Sequence, residues 1–178
     1  MRWLSRIAIT LALVSVGCTP ELKPDEVTST LFGKDRGALA GYDFGDSWEK
    51  IKKEHDPKLK LRDEKGFEQL RYDLSSPGDN GFFISFGLEG GDKVKSLGAS
   101  IYGRKQNAVT VRRILDDVIA HFDKTVGQGS CAKSGGPGNS SSCDWPARAG
   151  KPGAHVDYLE MSDPIWGHLE IRIVPAKP

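Results

Sequence analysis

The chain carries four histidines and 24 carboxylates, and any acid–base or metal chemistry must come from how these are spaced. His155 and Asp157 are two apart, as are His168 and Glu170. In a strand, that spacing puts both members of a couple on one side of the sheet. Two such couples meeting across a hairpin would offer a metal two imidazoles and two carboxylates. Solvated strand faces are the alternative reading of the same residues. His121 follows Asp117 by one helical turn, the spacing of an ordinary side-chain pair. His55 stands at an expected helix end. No G-x-S-x-G is present, so a nucleophile elbow has no support. The glycines of 127–138 lack G-x-x-x-x-G-K-[ST] and follow no strand, which argues against a phosphate cradle. No carboxylate pair is singled out for acid–base work. The expectation is a non-enzyme with no catalytic residues, metal or cofactor.

Aromatic residues are the better clue. Pro164-Ile165-Trp166-Gly167 puts Ile165 and Trp166 in an expected turn, where burial is hard to arrange, and Trp145 lies just past a cysteine. Turn-borne tryptophan is a residue type that anchors protein contacts. Trp145, Ile165 and Trp166 are therefore the candidate partner-binding residues. The competing reading folds both indoles back over the sheet ends. Phe83, opposite the inward row of its strand, either covers the second sheet face or meets a partner.

The elements that must position these residues follow from patterning. The length of 178 residues fits one domain. A formal charge of +1 leaves no basic excess for nucleic acid. Asp46-Ser47-Trp48-Glu49 reads as a helix start with Asp46 as cap and Glu49 closing a capping box, and Asp56-Pro57 as its end. Leu70, Tyr72 and Leu74 then alternate with polar residues. Phe82, Ile84, Phe86 and Leu88 form a second inward row, and Leu97, Ala99 and Ile101 a third. Tight turns at 76–81 and 90–93 make these an antiparallel meander. Asn107 is the expected cap of a helix over 108–126, whose Val111, Ile114, Leu115, Val118, Ile119, Phe122 and Val126 make one apolar stripe. Residues 127–153 are rich in Gly, Ser and Pro and read as a loop bracketed by Cys131 and Cys143. A strand is expected over 155–161, a turn over 162–167, and a last strand carrying Leu169, Ile171 and Ile173. The fold class is α+β: an antiparallel sheet packed by two helices, with the helix-plus-meander unit used twice.

The N-terminus is an address. Arg2 and Arg6 precede an apolar run over 7–16. At ~1.5 Å per residue this reaches about half of a ~30 Å hydrocarbon core, so it is a signal region and not a span. Ser15-Val16-Gly17-Cys18 resembles the lipobox of bacterial lipoprotein precursors, with Ser15 where Leu or Val is commoner. The resemblance implies cleavage before Cys18 and a diacylglycerol on its sulfur. An ordinary secretory signal with an incidental cysteine is the alternative. Thr19 in place of Asp implies, by the same likeness, the outer membrane of a Gram-negative cell. Residues 1–17 are then the signal peptide, 18–40 a lipidated tether and 41–178 the domain. Leu31, Phe32 and Leu39 are the tether residues able to pack back.

With Cys18 assigned to lipid, Cys131 and Cys143 remain as an even pair in an oxidising compartment, and a structural disulfide follows. Gly45-Asp46-Ser47-Trp48 and Ile51, with the strands after them, resemble two groups in topology. These are the outer-membrane assembly lipoproteins of the SmpA/OmlA type and the β-lactamase-inhibitor-like fold. The expected function is a lipid-anchored, non-catalytic envelope module holding a protein partner. Inhibition of a secreted hydrolase is the alternative, and a metal-dependent enzyme the third.

Overall fold

The computed structural model describes residues 22–33, 37–54, 59–64, 67–72, 80–88, 92–134, 138–162 and 165–177; for 59–72 only the backbone pairing is described. Residues 1–21 with the expected signal region and Cys18, His55, Asp56-Pro57, and residues 76–79 and 90–91 of the expected turns lie outside these.

The chain order is α1 (Pro24–Phe32), α2 (Trp48–Glu54), β1 (Leu59–Glu64), β2 (Phe67–Tyr72), β3 (Asn80–Gly87), β4 (Ser96–Arg104), α3 (Gln106–Thr125), β5 (Ser130–Ser134), β6 (Asn139–Trp145), β7 (Gly153–Ser162) and β8 (Ile165–Val174). The strands form one antiparallel sheet in the order β1-β2-β3-β4-β8-β7-β6-β5. Each half is thus a helix followed by a four-stranded meander, and the halves join where β4 pairs with β8. The α+β class and the repeated unit are both present.

Strand alternation places the core. Phe82, Ile84 and Phe86 oppose Ile101, Ala99 and Leu97. Those oppose Leu169, Ile171 and Ile173, which in turn oppose Tyr158, Val156 and Ala154. All are buried. Onto this face lie Val111, Ile114, Leu115, Val118 and Phe122 of α3, at the spacing of a single helical stripe. Trp48 of α2 meets Phe86 on the same face, with ring centroids 6.3 Å apart, and α1 packs on α3.

Several local expectations are corrected. The helix cap is Ser47, whose Oγ accepts from the Lys50 N–H at 3.2 Å. Asp46 instead accepts from the Asp43 N–H at 2.9 Å and from Lys50 Nζ, while Glu49 pairs with Lys52. Asn107 is likewise no cap. It is buried in the first turn of α3 and accepts from the Leu22 N–H at 3.3 Å.

Residues 24–32, read as tether, form α1. Pro24 starts it and Asp25 and Glu26 favour its positive end. Leu22, Val27 and Leu31 are buried, and Phe32 stacks on His121 with centroids 3.9 Å apart. Leu31, Phe32 and Leu39 do pack back onto the domain. Packing of α1 on α3 outweighs the polar composition of the segment. The cysteine-bracketed loop is also ordered as β5 and β6, because backbone pairing with β7 satisfies N–H and C=O groups that small polar side chains alone would leave to solvent. The expected turn over 162–167 is corrected at both ends, since β7 runs to Ser162 and β8 starts at Ile165; residues 163–164 lie outside the described residues.

Candidate functional site

Among the described residues the helices cover one face of the sheet, and the other face is left open. Its side chains come from the alternate positions of the same strands. Directly opposed residues give cross-strand rows. Tyr102, His168, Leu159 and Ser140 make one. Phe83, Ser100, Glu170, Asp157 and Ser142 make the next. Ser85, Gly98, Arg172, His155 and Asp144 make the third.

The first row and its neighbours are aromatic. Phe83 stacks on Tyr102 with ring centroids 5.7 Å apart. Trp166 stacks on His168 at 5.3 Å, and the ring of His168 meets Ser100 Oγ at 2.8 Å. Burial of its ring holds the His168 pKa below the usual histidine value, with Glu170 opposing the shift. Between the aromatic end and Arg172 lies a trough of about 730 Å³, lined by Phe83, Ser85, Gly98, Ser100, Tyr102 and Arg172 among others. Gly98 sets its floor: a Cβ there would stand 2.7 Å from the Ile171 carbonyl oxygen, closer than a side chain tolerates. A second hollow of about 400 Å³ continues across Ser140, Ser142, Asp157, Leu159 and His168, and Glu170 lines both.

The third row is charged and self-paired. His155 Nδ1 lies 2.6 Å from Asp144 and Nε2 2.9 Å from Asp157. Arg172 spans Glu170, at 3.0 Å, and Asp157, at 3.6 Å. Hydrogen bonding to Asp144, and then to Asp157, raises the His155 pKa, against the lowering effect of its partial burial.

The four residues of the metal reading do not converge on one point. His155, Asp157, His168 and Glu170 do share one face, but His155 is held between Asp144 and Asp157, Arg172 occupies Glu170, and His168 turns to Ser100. No group of three or more metal-ligating side chains converges among the described residues.

A scan against protein-family models, curated proteins and solved structures finds no match to this chain.

The sequence-predicted residues separate. Cys131 and Cys143 are disulfide-bonded, directly opposed on β5 and β6 with Cα atoms 4.1 Å apart. Trp145 is not at a binding surface. It is 1% exposed, packs on Phe122 at 5.2 Å, and donates through Nε1 to Asp123 Oδ1 at 2.9 Å, so the expectation of a partner contact there is withdrawn. Trp166 is half-buried on the open face, on β8 and not in a turn. Ile165 is exposed at the start of β8. Tyr102 and Leu159 were missed as site residues, and His168 was read as a metal ligand and not as part of an aromatic surface. Their signal was the outward half of each alternating strand, of which only Phe83 and the histidine–carboxylate couples were read.

The charged row gives a pH prediction. A His pKa raised in the folded state contributes stability that is complete below the unfolded value of 6.5; it is lost as pH rises through the folded pKa. His121 and His168, both lowered chiefly by burial, act in the opposite sense and below that value. Wild type is therefore expected to lose more stability than His155→Gln between about pH 6 and pH 8, by less than about 1 kcal/mol for so exposed a pair. Denaturant titrations of both proteins at the two pH values check this. Equal losses would show that His155 is not linked to folding.

Proposed function

We propose that the protein is a lipid-anchored, non-catalytic binding module of the cell envelope, set at the outer membrane and facing the periplasm. It holds a protein partner against the open face of its sheet. The observation that carries this reading is the joined aromatic surface of Phe83, Tyr102, Trp166 and His168, bordering a trough floored by Gly98. Aromatic side chains that are already stacked lose little rotamer freedom on contact, and they head the residue types that dominate protein interfaces. The neighbouring carboxylates, His155 and Arg172 hold one another in place, which favours fixed charge complementarity over proton transfer. The lipobox resemblance at Ser15-Val16-Gly17-Cys18 supplies the anchor, through acyl chains on Cys18.

The full chain should recover a reproducible partner from envelope extract after mild cross-linking. Trp166→Ala and Tyr102→Ala are expected each to weaken that complex by about 2 kcal/mol, roughly thirtyfold in Kd. A partner held equally well by the double variant would remove the open face from the reading, and no reproducible partner would count against a binding role. A recovered hydrolase whose turnover the chain blocks would narrow the role to inhibition.

A further inference from the structure

Packing of α1 changes where the anchor meets the body. Leu22 is buried and tied to Asn107 in the first turn of α3. Four peptide steps separate Cys18 from Leu22, which span at most roughly 14 Å when extended. An acyl group on Cys18 would therefore draw one particular end of the domain to the lipid. That end is where α3 starts and β8 begins: the Lys105 N–H donates to the Ile165 carbonyl at 2.9 Å, and Gly167 packs against Ala108.

This end carries exposed apolar groups that the core does not explain. Val109 on α3 is 66% exposed, Ile165 on β8 53% and Met161 on β7 38%. Met161 and Ile165 lie at the facing ends of β7 and β8, where Ser162 pairs with Ile165 and Met161 with Trp166. Lys23, Arg104 and Lys105 lie at the same end and are exposed. In the chain the acidic groups nearest these residues are Glu21, Asp25 and Glu26 around Lys23, and Glu160 and Asp163 around Met161 and Ile165. Exposed apolar side chains beside cations make the pattern of a surface that rests in the headgroup layer.

We propose that Val109, Met161 and Ile165, flanked by Lys23, Arg104 and Lys105, seat this end of the domain on the membrane. The proposal rests on the reading of Cys18 as the lipid anchor. The strands then lead away from the bilayer, and the open face looks sideways toward other envelope proteins.

The test uses the full chain, purified from bacterial membranes and reconstituted into phosphatidylethanolamine–phosphatidylglycerol vesicles containing brominated acyl chains, which quench tryptophan at contact range. Ile165→Trp and Val109→Trp each add an indole at this end. Val174→Trp adds one at the opposite end of β8, at an apolar position that is also exposed. After subtraction of the wild-type signal, the first two are expected to be quenched at least about twofold more than the third. Equal quenching at all three positions overturns the proposal. If the N-terminal peptide then still carries its acyl mass on Cys18, the anchor reading survives. An unmodified Cys18 overturns both.

Discussion

Trp145→Ala is expected to destabilise the protein by about 3–5 kcal/mol, the usual range for emptying a buried tryptophan site. That is a large share of a typical total of about 5–15 kcal/mol. The indole packs on Phe122 of α3 and lies so close to Gly129 that a Cβ there would come within 2.4 Å of it, so neither neighbour can follow the side chain inward without moving the backbone between α3 and β5. Asp123 adds a second link. Its Oδ1 accepts from the Gly129 N–H and from Trp145 Nε1, each at 2.9 Å, and these bonds, the backbone one first, hold its carboxyl pKa below the ordinary value. One carboxylate thus ties the end of α3 to β6 and to the segment entering β5. Trp145→Phe keeps most of the volume and loses only the indole donor, so its cost should be well below that of Trp145→Ala. Denaturant midpoints of the two variants check this. A cost under about 1 kcal/mol for Trp145→Ala would place the indole outside the cooperative core.

The second large effect is at the disulfide. Removing both cysteines as Cys131→Ala and Cys143→Ala should cost about 3 kcal/mol on the loop-closure argument for a loop of this size, here with a sequence separation of 12. The location says which element responds. β5 is an edge strand of the sheet and, among the described residues, pairs only with β6. Ser130, Cys131, Ala132 and Lys133 are all exposed, so apolar burial does little to hold it. The bond joins it to Cys143, which is buried on β6. In the double variant, amide exchange should rise chiefly across Ser130–Ser134 and its partners on β6, while β4 and β8 stay protected. A uniform rise across the sheet would mean that the disulfide supports the whole fold and not its edge. An unchanged midpoint would mean that backbone pairing alone holds β5.

The open face shows why site residues were harder to read than core residues. The inward rows announce themselves, because burial demands apolar side chains at every second position. Phe83 stood out against its own row. Tyr102 did not, and His168 stood out only as a metal ligand, because their part in an aromatic surface depends on which strands become neighbours. The pairing of β4 with β8 joins residues more than sixty positions apart and brings Tyr102 opposite His168. Periodicity within one strand carries no trace of that pairing. The same limit explains Trp145 and Trp166. One was placed in an expected turn and the other just past a cysteine, yet Trp145 packs on Phe122 and donates to Asp123, while Trp166 emerges on the face that no described helix covers.

By itself, the amino-acid order determined the inward rows of β3, β4 and β8, the apolar stripe of α3 and the pairing of Cys131 with Cys143. These depend on short-range periodicity, or on a count of cysteines once one is assigned to lipid. The start of α1 was also written in Pro24-Asp25-Glu26, although its charges read as tether. Only the tertiary structure decided that α1 docks on α3, that a Gly- and Ser-rich loop becomes β5 and β6, and which aromatic residues share the open face. Each of those depends on partners distant in sequence: a helix to bury against, a strand edge to accept hydrogen bonds, a neighbouring strand to complete a row. The free energy of such contacts appears only when the fold closes, so no local pattern records it.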